Sequence, residues 1–161
     1  MKKIEIKVVE WAQEKGLIFP ENSGKQFLKF IEETGEVAKA ILTNDIKNLE
    51  LEIGDVLVTL TILAAMKDLS LSESYDGRKI HGFGHPESFF DFIYRAGILA
   101  VSMKYGEFTF KNSLYYLILH LKSLAAFHGL ELENCYEKAY QKIKNRTGET
   151  IDGNFIKNEE K

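Results

Sequence analysis

Cysteine is nearly absent from this chain. Cys135 stands alone among 161 residues, so no intrachain disulfide can form. With no signal-peptide pattern at the N-terminus, a reducing, cytoplasmic setting is the expectation. An excess of positive charge is also missing. The chain has 21 Lys and Arg against 24 Asp and Glu, a formal charge of −3, and so lacks the basic footprint that a nucleic-acid partner requires. No apolar run is long enough for a bilayer: the one around Ile53–Met66 is short and broken by Gly54 and Asp55. Only two prolines interrupt the chain, which favours helices. At this length one domain, spanning residues 1–161, can bury a real core. These absences leave a soluble, all-α, single-domain protein as the expectation.

What is present is concentrated between Lys25 and Met66. That stretch holds two carboxylate pairs, Glu33/Glu36 and Glu52/Asp55, each spaced i,i+3. Residues three apart share a helix face, so each pair projects as a two-toothed fork. From Leu51 to Met66 the chain is apolar almost all round, and Glu52 and Asp55 are its only charges. Such a helix belongs in the core. A carboxylate there needs a cation, a hydrogen bond or a metal ion. The first pair lies on the border of an amphipathic helix whose apolar face is Phe27, Phe30, Ile31, Thr34, Ala38 and Ile41; Gln26, Lys29, Glu33 and Glu36 form the strip beside it.

Thr43-Asn44-Asp45 is a short polar break between the two helices, which predicts an αα-hairpin with four carboxylates brought together. Like charges at roughly 4–5 Å repel by about 3–4 kcal/mol per pair at an effective dielectric near 20. A hard divalent cation relieves this, Mg²⁺ or alternatively Mn²⁺. The competing account is a solvated acidic face for the first pair and a buried cation partner, such as Lys29 or Arg95, for the second.

The first helix is predicted over Met1–Lys15, with Ile4, Val8, Trp11 and Ala12 at helical spacing and Gly16 as its stop. Trp11 reads as a core anchor, with a place near a nucleotide base as the alternative. Ser23 and Gln26 have capping-box spacing for the second helix, which ends near Leu42, and the third runs from about Asp45 to Met66. Ser70 is expected to cap a short helical turn through Tyr75. His81 and His85 flank Gly-Phe-Gly in an irregular loop and read as loop histidines, with Arg78 and Lys79 as alternative phosphate neighbours.

The chain then repeats itself. Phe27–Lys39 aligns with Phe89–Val101, and Leu63–Tyr75 with Leu124–Tyr136. Phe30, Ile31, Gly35 and Ala38 fall on Phe92, Ile93, Gly97 and Ala100, whereas Glu33 falls on Arg95, Glu52 on Ser113 and Asp55 on Tyr116. A duplicated hairpin is therefore expected, in which the paired acids of the first copy (about 24–68) have no acidic counterparts in the second (about 86–129). This makes an internal pseudo-dimer in which Arg95 is expected to lie against the carboxylates or a phosphate. A closing helix and tail occupy about 131–161, with TIDGNFIK as a small hairpin or an extended arm.

The order EExxE (Glu32, Glu33, Glu36), a short gap, then ExxD (Glu52, Asp55) leading an apolar helix resembles the MazG-like branch of the all-α nucleoside triphosphate pyrophosphohydrolases, relatives of the dimeric dUTPases. Lys29 stands in the lysine position of the K-x-x-EE pattern, and the C-terminal CYEKAYQKIKNRTGETIDGNFIK resembles the family's closing helix. The resemblance implies a MazG-like helical bundle that hydrolyses nucleoside triphosphates to monophosphate and pyrophosphate. Glu33, Glu36, Glu52 and Asp55 would hold Mg²⁺, with Glu32 or Glu36 as base. Gln26 and Lys29 would contact substrate, and Lys144 and Arg146 the triphosphate. It also implies a homodimer or larger assembly. The rivals are a dUTP-, dCTP- or phosphoribosyl-nucleotide-specific enzyme, and a helical metal-binding interaction module.

Overall fold

The computed structural model describes residues 1–75, 88–105 and 107–158. Among them are seven α-helices and one β-hairpin, an all-α bundle with a small C-terminal clasp. Helix α1 (Lys2–Glu14) buries Ile4, Val8, Trp11 and Ala12, the spacing its sequence sets out. Gly16 ends it at a φ of 65°, in the left-handed region that glycine enters without penalty. A single 3₁₀ turn, Pro20–Asn22, feeds directly into α2 (Ser23–Leu42). The expected Ser23/Gln26 capping box does not form. Ser23 already lies inside the helix, Asn22 donates to the carbonyls of Gly16 and Leu17, and Gln26 is buried against the C-terminal segment.

Asn44, at a φ of 53°, reverses the chain, and the Asp45 carboxylate caps α3 (Ile46–Ala65) by accepting from the Asn48 N–H at 3.0 Å. From Ile53 to Ala64 every residue of α3 is buried, because α1, α2, α6 and α7 all pack around it. Each fully buried leucine or isoleucine there contributes about 1.5–3 kcal/mol. Ser70 caps the short α4 (Leu71–Ser74), accepting from the Glu73 N–H. His81, His85, Arg78 and Lys79 lie outside the described residues.

The second hairpin is α5 (Ser88–Tyr105) with α6 (Glu107–Phe127). Its first helix faces that of the first hairpin: the buried rings of Phe30 and Phe92, equivalent in the repeat, meet at 6.1 Å. Beyond them α2 and α5 part into an open apolar groove lined by matched residues, Ile31 with Ile93, Gly35 with Gly97 and Ala38 with Ala100.

Helix α7 (Leu132–Ile143) lies against α3. Gly54 makes this possible, since a Cβ there would overlap the Cys135 carbonyl oxygen. Tyr136 shares a 2.5 Å hydrogen bond with Thr61 across the same contact. The tail forms a hairpin, β1 (Gly148–Ile151) antiparallel to β2 (Asn154–Lys157), through an Asp152-Gly153 turn in which both residues have positive φ. No helix among the described residues is long and apolar enough to cross a membrane.

Candidate active site

The α2–α3 hairpin brings Glu33, Glu52 and Asp55 together, with one carboxylate oxygen from each inside a 4.8 Å span. Glu52 and Asp55 are buried to 8% and 7% exposure on a helix that offers them little solvent. Burial, then the neighbouring charge of Asp55, pushes the Glu52 carboxyl up to about 7. Burial also raises Asp55, against the opposing pull of Lys142. The three clustered carboxylates, of which burial raises Glu52 and Asp55, form an oxygen-only donor set, which fits a hard divalent cation.

Glu36 stands outside this trio. Its carboxylate pairs with Lys39 at 3.0 Å and is 40% exposed. Lys29 bridges Glu33 at 2.8 Å and Glu32 at 2.9 Å. It therefore neutralises the outer edge of the cluster, in the strip that the helical spacing predicts.

Cations reach the site from α7. Lys142 Nζ lies 2.5 Å from Asp55 Oδ2, one turn beyond Lys138, which pairs with Glu50. Arg146, just past the helix, lines the adjoining cavity. Lys144 caps α7 and is exposed; it is not among the cavity residues. Lys142 is thus the lysine that sequence reasoning passed over. Its signal was the spacing Lys138–Lys142, which puts both lysines on one side of the buried face that carries Cys135 and Ala139. The cation expected from Arg95 lies elsewhere: its guanidinium sits over the Tyr116 ring at 3.8 Å, within the second hairpin.

A cavity of about 560 Å³, open mouth included, adjoins the carboxylates. Lys29, Glu33, Asp55 and Arg146 form its polar part, and Trp11, Leu17, Val58, Ile62, Ile143 and Phe155 its apolar part. Gln26, also in the wall, donates from its amide nitrogen to the Gly153 carbonyl at 3.1 Å. Trp11 meets Phe155 edge to face, with centroids 5.9 Å apart. Burial raises the Cys135 thiol to about 12, so it offers no thiolate nucleophile.

Residues 24–78 match the family model described as the MazG nucleotide pyrophosphohydrolase domain. Over that stretch, about a third of its length, the chain is similar to that domain. No curated protein and no solved structure matches the chain. The matched segment holds Gln26, Lys29 and all four predicted acids; Trp11, Lys142, Arg146 and Phe155 lie outside it.

Proposed function

We propose that the chain is one domain that hydrolyses a nucleoside triphosphate between its α and β phosphates, releasing monophosphate and pyrophosphate. The observation that carries this reading is the convergence of Glu33, Glu52 and Asp55 beside a cavity lined by both cationic and apolar side chains. These three side chains would hold Mg²⁺, with Mn²⁺ as a substitute, and Glu36 would join them by a rotamer change. The ion would supply charge neutralisation for the phosphate oxygens.

The chain's own groups do the rest. Lys29, Lys142 and Arg146 orient the polyphosphate, with Lys144 available from the end of α7. Water adds to the α phosphorus and pyrophosphate leaves. Glu32 or Glu36 takes the water's proton, since both are exposed to solvent and lie on the outer side of the cluster. Gln26 stands where a base would enter. The open α2–α5 groove, with Ile31 and Ile93 each more than two-fifths exposed, supports a homodimer. The absence of a membrane-spanning helix among the described residues accords with a cytoplasmic setting.

The test is pyrophosphate release with Mg²⁺ from a panel of nucleoside triphosphates, for wild type and Glu52→Gln. Turnover that falls by about 10³-fold or more in the variant is the expected result. No turnover of any triphosphate, with melting still shifted by Mg²⁺, would redirect the reading to a metal-binding interaction module.

A further inference from the structure

Lys29, Lys138 and Lys142 each meet an acid near the candidate site, and they differ in what a metal ion would take from them. Lys29 bridges Glu33 and Glu32, so giving up Glu33 leaves it a partner. Lys138 pairs with Glu50, which is not one of the trio. Lys142 pairs with Asp55 itself, at 2.5 Å. The two sides of that pair are unequal. The Asp55 side chain is 9% exposed and sits on the buried α3, whereas the Lys142 side chain is 36% exposed and ends a flexible four-carbon stem. The lysine is the partner that can move.

A divalent ion taken by Asp55 with Glu33 and Glu52 would lie about 2.1 Å from a carboxylate oxygen. An ammonium on the same carboxylate then faces a double positive charge within about 5 Å and shares the single negative charge that drew it there. Its surroundings offer no relief. The charge of Arg146, then burial, then Lys142 and Lys29 hold the Lys157 ammonium of β2 below its usual value. A Lys142 released from Asp55 therefore enters a crowd of like charges, which an incoming polyanion relieves.

We propose that Lys142 is an exchangeable counter-ion: it holds Asp55 until the divalent ion displaces it, and then passes to the phosphates that the ion binds. The second half of the exchange rests on the pyrophosphohydrolase reading; the first half does not. Because Lys142 competes with the metal, it weakens metal binding in the absence of substrate. It also couples the two ligands, since the metal frees a cation that the phosphates use, and by linkage a polyphosphate favours the metal in return.

The test has two readouts that need no turnover. The first is the Mn²⁺ affinity of the nucleotide-free protein, by calorimetry, for wild type, Lys142→Met and Lys142→Gln. Lys138→Met serves as the control, with melting temperatures as a check on folding. Both Lys142 variants bind Mn²⁺ about tenfold tighter, as when a ligand no longer selects a minor state, and Lys138→Met stays within about twofold of wild type. The second readout is the acetylation rate of Lys142 in the wild type, measured by mass spectrometry against Lys138 in the same molecule. Mg²⁺ alone raises that ratio severalfold, and inorganic tripolyphosphate added with Mg²⁺ lowers it again. Unchanged or weaker Mn²⁺ binding by the Lys142 variants overturns the proposal, the weaker case meaning that Lys142 orients Asp55 as a ligand. A labelling ratio indifferent to Mg²⁺ overturns it too, as does one that tripolyphosphate leaves high. Exchange in a protein that hydrolyses no triphosphate supports the proposal and removes only the reaction. Hydrolysis by a protein whose Lys142 ignores Mg²⁺ removes only the exchange.

Discussion

The two hairpins share a packing pattern and differ in everything that could do chemistry. In the first, Glu33 and Asp55 converge with Glu52 beside a cavity. At the equivalent places in the second, Arg95 lies over the ring of Tyr116. The apolar positions are retained: Phe30 and Phe92 are both fully buried and touch each other. The same division separates Gly54, against which α7 packs, from its counterpart Tyr115, which stacks on Tyr75 at 6.2 Å. A helical bundle is specified by its apolar core contacts, so the remaining positions can carry acids in one copy and a cation and an aromatic ring in the other.

Exchanging equivalent residues between the copies tests that separation most severely. Asp55→Tyr, which installs the second hairpin's residue in the first, is expected to lower turnover by at least about 10³-fold and to abolish the Mg²⁺-induced rise in melting temperature. Tyr116→Asp, the reverse exchange, should leave turnover within about twofold. Comparable losses from both would mean that the second hairpin takes part in catalysis.

Gly54→Ala should have the next largest effect. Its methyl would overlap the Cys135 carbonyl and press on Ala139, and overpacking of this kind costs about 1–3 kcal/mol. Thermal unfolding would show it as a drop of about 2–4 °C per kcal/mol at this chain length. Because α7 also carries Lys142, the variant should lose activity beyond its loss of stability. An unchanged melting point would show that the α3–α7 contact is looser than drawn.

The first hairpin should also produce a pH effect through Glu52, opposite in sign to that of the burial-lowered His120 on α6. The folded Glu52 carboxyl titrates near 7, above its ordinary value of 4.5, so the folded state holds a proton that the unfolded chain has released. The metal-free protein is then favoured at low pH, and its stability contribution from Glu52 is lost as pH climbs from about 4.5 through about 7. A melting-temperature series over that window should slope downward by several degrees, and Glu52→Gln should flatten it. An upward slope that the variant leaves intact would contradict this assignment. The smallest effect is expected for Arg95→Ala. Loss of its stacking on Tyr116 should cost about 0.5–1 kcal/mol and leave turnover unchanged.

Much of this arrangement was legible in the sequence because it is local. The α2 and α3 boundaries follow from the Thr43–Asp45 break, and burial of Glu52 and Asp55 follows from the apolar residues around them. The Asp-Gly pair signals the C-terminal turn. What was not legible depends on how distant elements meet. Lys142 rather than Lys144 reaches Asp55 because α7 settles on Gly54, and helix–helix register is absent from either helix alone. Glu5 of α1 is buried and accepts from the N–H groups of Leu71 and Ser72, a contact between segments 66 positions apart. Gln26 failed as a capping residue because a partner far along the chain, Gly153, claims its amide.

That last pairing bears on how the protein is made. Gln26 and the residue that orients it are 127 positions apart, and Thr150 fastens to a carbonyl 135 positions before it. At about 5–20 residues per second, a ribosome delivers these partners roughly 6–30 s apart. From the synthesis of Asp55 until that of Lys142, the nascent chain contains Glu33, Glu36, Glu52 and Asp55 but lacks Lys142, Arg146 and the Phe155 wall. Its carboxylates are thus synthesised well before the cations and the aromatic ring that complete their surroundings.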